Sequence, residues 1–147
     1  MKIIIISGGF DPIHKGHIEY MKKAKQLAGQ DGEVIAILNT DEFLLRKKGY
    51  FFLDYENRKA VLQSIKYIDE VEKSIDNDQT VCKTLEILAD TLAKHDLYFV
   101  KGGDRNQENI PEKEICEKLG IKIIDGLGEK INSSSKLVNS VIQKIKE

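Results

Sequence analysis

The chain has 147 residues, 41% of them hydrophobic and 32% charged, which describes an ordinary soluble globule long enough for one domain with a real core. A net charge of −1 gives no general pull toward nucleic acid or an anionic membrane, so neither is expected as a partner. The first apolar run is too short for a signal peptide, and no stretch approaches membrane-spanning length. Cys82 and Cys116 are well separated and form no CxxC pair, which points to a reducing, cytosolic setting without a structural zinc site.

In chain order, residues 2–7 form a continuous β-branched run and read as a buried strand. Residues 16–28 place Ile18, Met21, Ala24, Leu27 and Ala28 on one helical face. Residues 33–38 are a second buried strand, and 40–54 read as a longer loop. Val61, Leu62, Ile65 and Ile68 put a helix over about 55–67, followed by a short extended piece near 69–73. A helix around 79–94 carries the stripe Val81, Leu85, Leu88 and Leu92. Residues 97–100 make the next strand, ending at Gly102-Gly103. Pro111 opens and Gly120 closes a short helix before a fifth strand at 121–124. Ser133 to Ser135 cap a final helix with Leu137, Val138, Val141, Ile142 and Ile145 inward.

Repeated β-α-β units with continuous apolar strands mean a parallel sheet covered by helices. The expected fold is α/β: one Rossmann-like, doubly wound, five-stranded parallel sheet in the order 3-2-1-4-5, with helices on both faces and residues 1–147 in a single domain. In such a sheet the first and fourth strands are neighbours at the switch point, where ligands bind. The turns Gly8-Gly9 and Gly102-Gly103 follow those two strands and face one crevice.

Residues 8–17, GGFDPIHKGH, carry the chemistry. A helix entrance has unpaired N–H groups and the positive end of the dipole, so it favours an anion. Gly8, Gly9 and Gly16 let the backbone approach a ligand. His14 and His17, three apart, can face the same ligand and stabilise charge that builds on a phosphate during displacement. The alternatives for these side chains are a pair of structural histidines and a metal site of Asp11, His14 and His17. No GxxxxGK[ST] or GxGxxG occurs, which disfavours P-loop and dinucleotide-binding readings. Lys47 and Lys48 read equally as a solvated loop or as phosphate contacts. Tyr50 to Leu53 read as buried against the sheet or a dimer partner, and Asp76 and Asp78 as turn formers.

Gly9-Phe10-Asp11 with His14-Lys15-Gly16-His17 resembles the GxFDxxHxGH signature of the cytidylyltransferase-like nucleotidyltransferases. Ser133 to Leu137 resembles that superfamily's second signature, at the opening of its last helix. Thr40 to Phe43, Tyr55 to Lys59 and Tyr67 to Val71 are similar to the glycerol-3-phosphate cytidylyltransferases, whereas Val100 to Asp104 resembles the adenylyltransferase domain of heptose-phosphate kinase/adenylyltransferases. Where the glycerol phosphate enzymes carry RTEG, this chain has Gly128-Glu129-Lys130-Ile131, without the arginine.

The resemblance implies that His14, His17 and Lys48 serve the transfer step at the triphosphate. It implies that Gly8, Gly9, Phe10, Gly16 and Lys47 line the nucleotide site, with Gly103 and Asp104 at the base and ribose. Ser133, Ser134 and Ser135 fall at the β- and γ-phosphates, and Asp11, Arg58 and Lys66 on the acceptor side. For Arg58 the alternative is a pair with Glu56 or Asp54 on its own helix. Lys66 stands where the cytidylyltransferases have arginine and lacks its bidentate fork. The implied reaction transfers CMP, or else AMP, from CTP or ATP to a small phosphorylated acceptor and releases pyrophosphate. Mg²⁺ is carried with the nucleotide, no protein metal site is implied, and the chain is expected as a homodimer. The rivals are a sugar-phosphate adenylyltransferase and a nucleotide-binding module without turnover.

Overall fold

Ile3 to Ile6, all buried, form the middle of the sheet in the computed structural model, which describes residues 1–102, 111–127 and 143–145. The strands are β1 (Lys2–Gly8), β2 (Glu33–Leu38), β3 (Glu70–Lys73), β4 (Asp96–Gly102) and β5 (Lys122–Leu127), and the helices α1 (Lys15–Ala28), α2 (Asp41–Lys48), α3 (Tyr55–Gln63), α4 (Cys82–Thr91) and α5 (Lys113–Leu119). The strand order is β3-β2-β1-β4-β5, with β1 parallel to both β2 and β4. This is the expected order, and it puts the carboxyl ends of β1 and β4 side by side.

Alternation along the strands sends side chains to opposite faces. Ile4, Ile6, Val34, Ala36 and Leu38 join Met21 and Ala24 of α1 and Leu62 of α3 in one core. Ile3, Ile5, Ile35, Ile37 and Phe99 join Leu85 and Leu88 of α4 and Cys116 of α5 in the other. Helices therefore cover both faces, and each isoleucine buried between them contributes about 1.5–3 kcal/mol. Cys82 and Cys116 are free thiols. Burial raises both thiol pKa values, that of Cys116 to about 12.

The segment 40–54, expected as a loop, contains α2. Thr40 caps it by accepting the Phe43 N–H, Asp41 and Glu42 occupy its first turn, and Arg46, Lys47 and Lys48 its last. Gly49 ends it in the left-handed region at φ 83°. Only Phe43 and Leu44 of this helix are buried, so its apolar face is too short to register as a periodic stripe. The helix expected over 55–67 ends at Gln63, and the one expected over 79–94 runs only over Cys82–Thr91. α5 begins two residues after Pro111 and closes at Gly120, with φ 75°. Asp76 and Asp78 are turn formers: Asp76 accepts the Lys83 and Thr84 N–H groups, and Asp78 that of Thr80. Within the expected final helix, residues 143–145 are helical, and Ile145 is 78% exposed rather than inward.

Tyr20 ties α1 to the switch point: its buried hydroxyl donates to the Val100 carbonyl of β4. Tyr20→Phe removes that donor and is expected to cost about 1 kcal/mol, read as a lowered urea midpoint at unchanged slope. An unchanged midpoint contradicts the tie.

Candidate active site

Where β1 ends, the chain turns into α1 through two histidines. His14 is the N-cap, in extended conformation, and His17 is the third helical residue. The Gly16 N–H donates to His14 Nδ1 at 3.1 Å, and the His14 N–H donates to His17 Nδ1 at 3.2 Å. This is a capping box built from imidazoles where serine and glutamate are the usual pair. A ring nitrogen that accepts carries no proton, so the single proton of each neutral ring sits on Nε2. The rings stack at 3.8 Å between centroids, with an interplanar angle of 23°. The Nε2 of His14 is buried and has no hydrogen-bond partner among the described residues.

Both rings are held neutral. Burial, His14 and the Lys48 ammonium together lower the pKa of His17 to about 3, and burial lowers that of His14. Two imidazolium ions in a stack this close would repel strongly. The pair is therefore a set of two uncharged Nε2–H donors at a helix entrance.

The glycines before the histidines make room for protein. A Cβ on Gly8 would stand 3.1 Å from the ring of Phe10, and one on Gly9 would meet Leu44 Cδ2 at 2.7 Å. Gly8 and Gly9 are therefore small where Phe10 and α2 pack against them. Phe10 is itself buried, sits at φ 49° and meets the His17 ring edge-on at 5.1 Å. A left-handed residue other than glycine costs about 1–2 kcal/mol, so the core holds Phe10 against strain as a support beneath His17. Gly16 contributes the N–H that His14 accepts.

Asp11 and Arg58, expected on the acceptor side, are turned into the protein. Asp11 is 3% exposed, and its carboxylate accepts the N–H groups of Phe52 at 2.7 Å and Leu53 at 3.0 Å. The Arg58 side chain has no exposed surface. Its guanidinium donates to the carbonyls of Leu53, Gly9 and Asn39 and to Asp41 Oδ1 at 2.7 Å. The ion pair thus runs to α2 rather than to Glu56 or Asp54. A buried guanidinium with its forks occupied holds loops together. The proposed metal triad does not converge either; among the described residues no group of three His, Cys, Asp or Glu side chains could hold a metal.

Lys48 is brought to the histidines. Its Nζ lies 3.5 Å from the Asp11 carbonyl, and its pKa is lowered by burial and by Arg58 against the opposing pull of Asp11. Lys47 instead lies with Nζ 5.9 Å from the Phe43 ring. Lys66 is not brought to the site. It precedes β3, whose neighbour Asp69 pairs with Val34 at the amino end of the sheet, opposite the histidines. Gly103, Asp104, Ser133, Ser134, Ser135 and the stretch 128–131 lie outside the described residues.

Sequence reasoning passed over two features of the crevice. Lys101 Nζ donates to Ser7 Oγ at 3.0 Å, across the ends of β4 and β1. Asn39, just past the end of β2, is buried, with its N–H on the Gly8 carbonyl and its Oδ1 without a partner among the described residues. Their position beyond carboxyl ends of strands was the available signal.

The chain matches the family model described as cytidylyltransferase-like over residues 5–138. It is 48% identical over 128 residues to the glycerol-3-phosphate cytidylyltransferase of Bacillus subtilis, covering 86% of this chain and 91% of that one. It is 28% identical over 149 residues to the bifunctional protein HldE of Citrifermentans bemidjiense, covering 96% of this chain and 27% of that protein. Among solved structures, the lipopolysaccharide core biosynthesis protein from Thermoplasma volcanium superimposes with a TM-score of 0.65 at 23% identity, covering 87% of this chain and 98% of that one, and shares the fold.

The depressed His17 pKa links stability to pH. The unfolded chain takes up the proton near pH 6.5, and the folded chain only near pH 3, so stability is lost as pH falls through that window. The expected slope from this residue is about 1.4 kcal/mol per pH unit, measured by urea unfolding between pH 7 and 4. His17→Gln should flatten it; equal slopes in both proteins contradict the buried neutral ring.

Proposed function

Because this chain belongs to the cytidylyltransferase-like family, we propose that it transfers CMP from CTP to a small phosphorylated polyol and releases pyrophosphate. The observation that carries the reading is the imidazole capping box, which leaves two neutral Nε2–H donors, that of His14 buried, at the helix entrance near Lys48. The acceptor's phosphate oxygen attacks the α-phosphorus and forms the new P–O bond. The bond from that phosphorus to the oxygen bridging the β-phosphate breaks, and pyrophosphate leaves with the electron pair. The attacking oxygen is already anionic at pH 7, so no general base is needed. Positioning and stabilisation of charge on the phosphoryl oxygens then make up the catalysis. Neutral donors suit this task, because they strengthen as charge builds without a proton changing hands.

Mg²⁺ accompanies the nucleotide and neutralises triphosphate charge. Both histidine Nδ1 atoms are taken by backbone N–H groups, so its ligands fall to phosphate oxygens and water. Gly103 and Asp104 at the base, and Ser133 to Ser135 at the outer phosphates, are assigned by resemblance. CTP is preferred because the match to the Bacillus subtilis cytidylyltransferase covers nearly all of that enzyme. Val100 to Asp104 and the likeness to HldE support the second reading, AMP transfer to a sugar phosphate. The free thiols support a cytoplasmic setting, and among the described residues no helix is long and apolar enough to cross a membrane. A homodimer fits the exposure of Leu45, Phe52 and Leu53 beside the site.

Pyrophosphate release measured with CTP and with ATP, over a panel of phosphorylated polyols and sugar 1-phosphates, tests the assignment. CTP with a polyol phosphate should give the highest kcat/KM, and release with ATP and sugar phosphates alone would establish the second reading. No release with any pair would favour a binding module. Loss of the His17 donor in His17→Ala should lower kcat by about 10²–10³ with the fold intact by circular dichroism; near-normal turnover overturns the role.

A further inference from the structure

Asp11 lies in the signature turn, yet its carboxylate is buried against the protein's own backbone. It accepts two consecutive backbone N–H groups, from Phe52 and Leu53. These residues are themselves on the surface, Phe52 57% and Leu53 39% exposed, so little packing holds them. The segment from Gly49 to Leu53 is pinned by polar contacts at both ends. At one end α2 stops at Gly49, whose N–H returns to the Leu45 carbonyl. At the other, Asp11 holds the amides of Phe52 and Leu53, while Arg58 Nε takes the Leu53 carbonyl at 2.9 Å. Lys48, the last residue of α2, directly precedes this segment, and its Nζ rests on the Asp11 main-chain carbonyl.

We propose that Asp11 is a positioning residue for Lys48: by clamping the Phe52 and Leu53 amides it fixes the segment that sets the Lys48 ammonium beside the His14–His17 pair. A carboxylate suits this role better than an amide, since the Phe52 N–H goes to Oδ2 and the Leu53 N–H to Oδ1, and an amide offers only one acceptor oxygen. The Asp11 carboxylate bonds the backbone donors while its main-chain carbonyl meets the lysine, and its charge favours the Lys48 ammonium. The inference rests on the reading that Lys48 meets the triphosphate, and it assigns Asp11 no contact with substrate.

The test is a double-mutant cycle over Asp11→Asn and Lys48→Met. It is read twice, in kcat/KM for CTP and in the Kd of CTP by calorimetry, with the melting temperature followed separately. In the Lys48 background Asp11→Asn should raise Kd and lower kcat/KM at least tenfold. In the Lys48→Met background it should change either by less than twofold, while the loss of melting temperature is the same in both. Equal factors in the two backgrounds overturn the inference, since Asp11 then acts independently of Lys48. A wild-type chain that binds CTP without turnover overturns the proposed reaction but leaves the cycle readable in Kd. A chain that binds neither CTP nor ATP overturns both. If Asp11→Asn does not fold, Phe52→Pro removes one clamped N–H and leaves Asp11 in place. It should then reproduce the same coupling to Lys48, and additive effects from it overturn the inference equally.

Discussion

The first turn of any helix has N–H groups that the helix itself cannot satisfy, and here that requirement sets the chemistry of the site. The entrance of α1 is closed by the Nδ1 atoms of His14 and His17 instead of by hydroxyl or carboxylate oxygens. Each ring is thereby fixed in orientation and in tautomer by the same two bonds that start the helix. Fold and function use one pair of interactions, and what remains on each ring is a single donor, Nε2–H.

The surrounding structure keeps those donors neutral and in place. Burial and a nearby ammonium make protonation of His17 unfavourable, while Phe10, held at a left-handed φ, supports its ring edge-on. Gly8 and Gly9 are small because Phe10 and Leu44 occupy the space beside them. Arg58 fastens the Gly9 and Asn39 carbonyls and α2 into one unit, so the ends of β1 and β2 and the loops beyond them cannot move separately. Breaking one partner of such a buried ion pair leaves the other uncompensated, at a cost of about 3–5 kcal/mol. A site that works by positioning needs this kind of supporting shell.

The sheet was legible because its signals are long and physical. Buried parallel strands need unbroken apolar runs, and Ile3 to Ile6 and Val34 to Leu38 have no other economical use. The topology follows from alternation of strands and helices, and β1 and β4 end side by side at the switch point. α2 was missed because it has only two buried residues, although Thr40, the acidic first turn and Gly49 marked its ends. The histidines were legible as a pair, since two of three histidines in one turn have no packing explanation. The roles of Asp11 and Arg58 were not legible, because a motif records that a charge is required there and not which way it faces. Only the fold shows both turned inward, onto amides and carbonyls up to 49 positions away along the chain. Lys66 is illegible for a related reason: similarity in sequence carries it toward the site, while the turn after α3 leaves it at the amino end of the sheet.

The central claim is that the helix entrance dictates the protonation of both rings. Nitrogen-15 NMR of the histidine side chains at pH 7 reads it directly, since Nδ1 and Nε2 give distinct shifts in each tautomer and in the imidazolium. His14 and His17 should both appear as neutral rings protonated at Nε2, and His17 should stay so down to pH 5. A ring protonated at Nδ1, or an imidazolium signal from His17 at pH 6, would contradict the account.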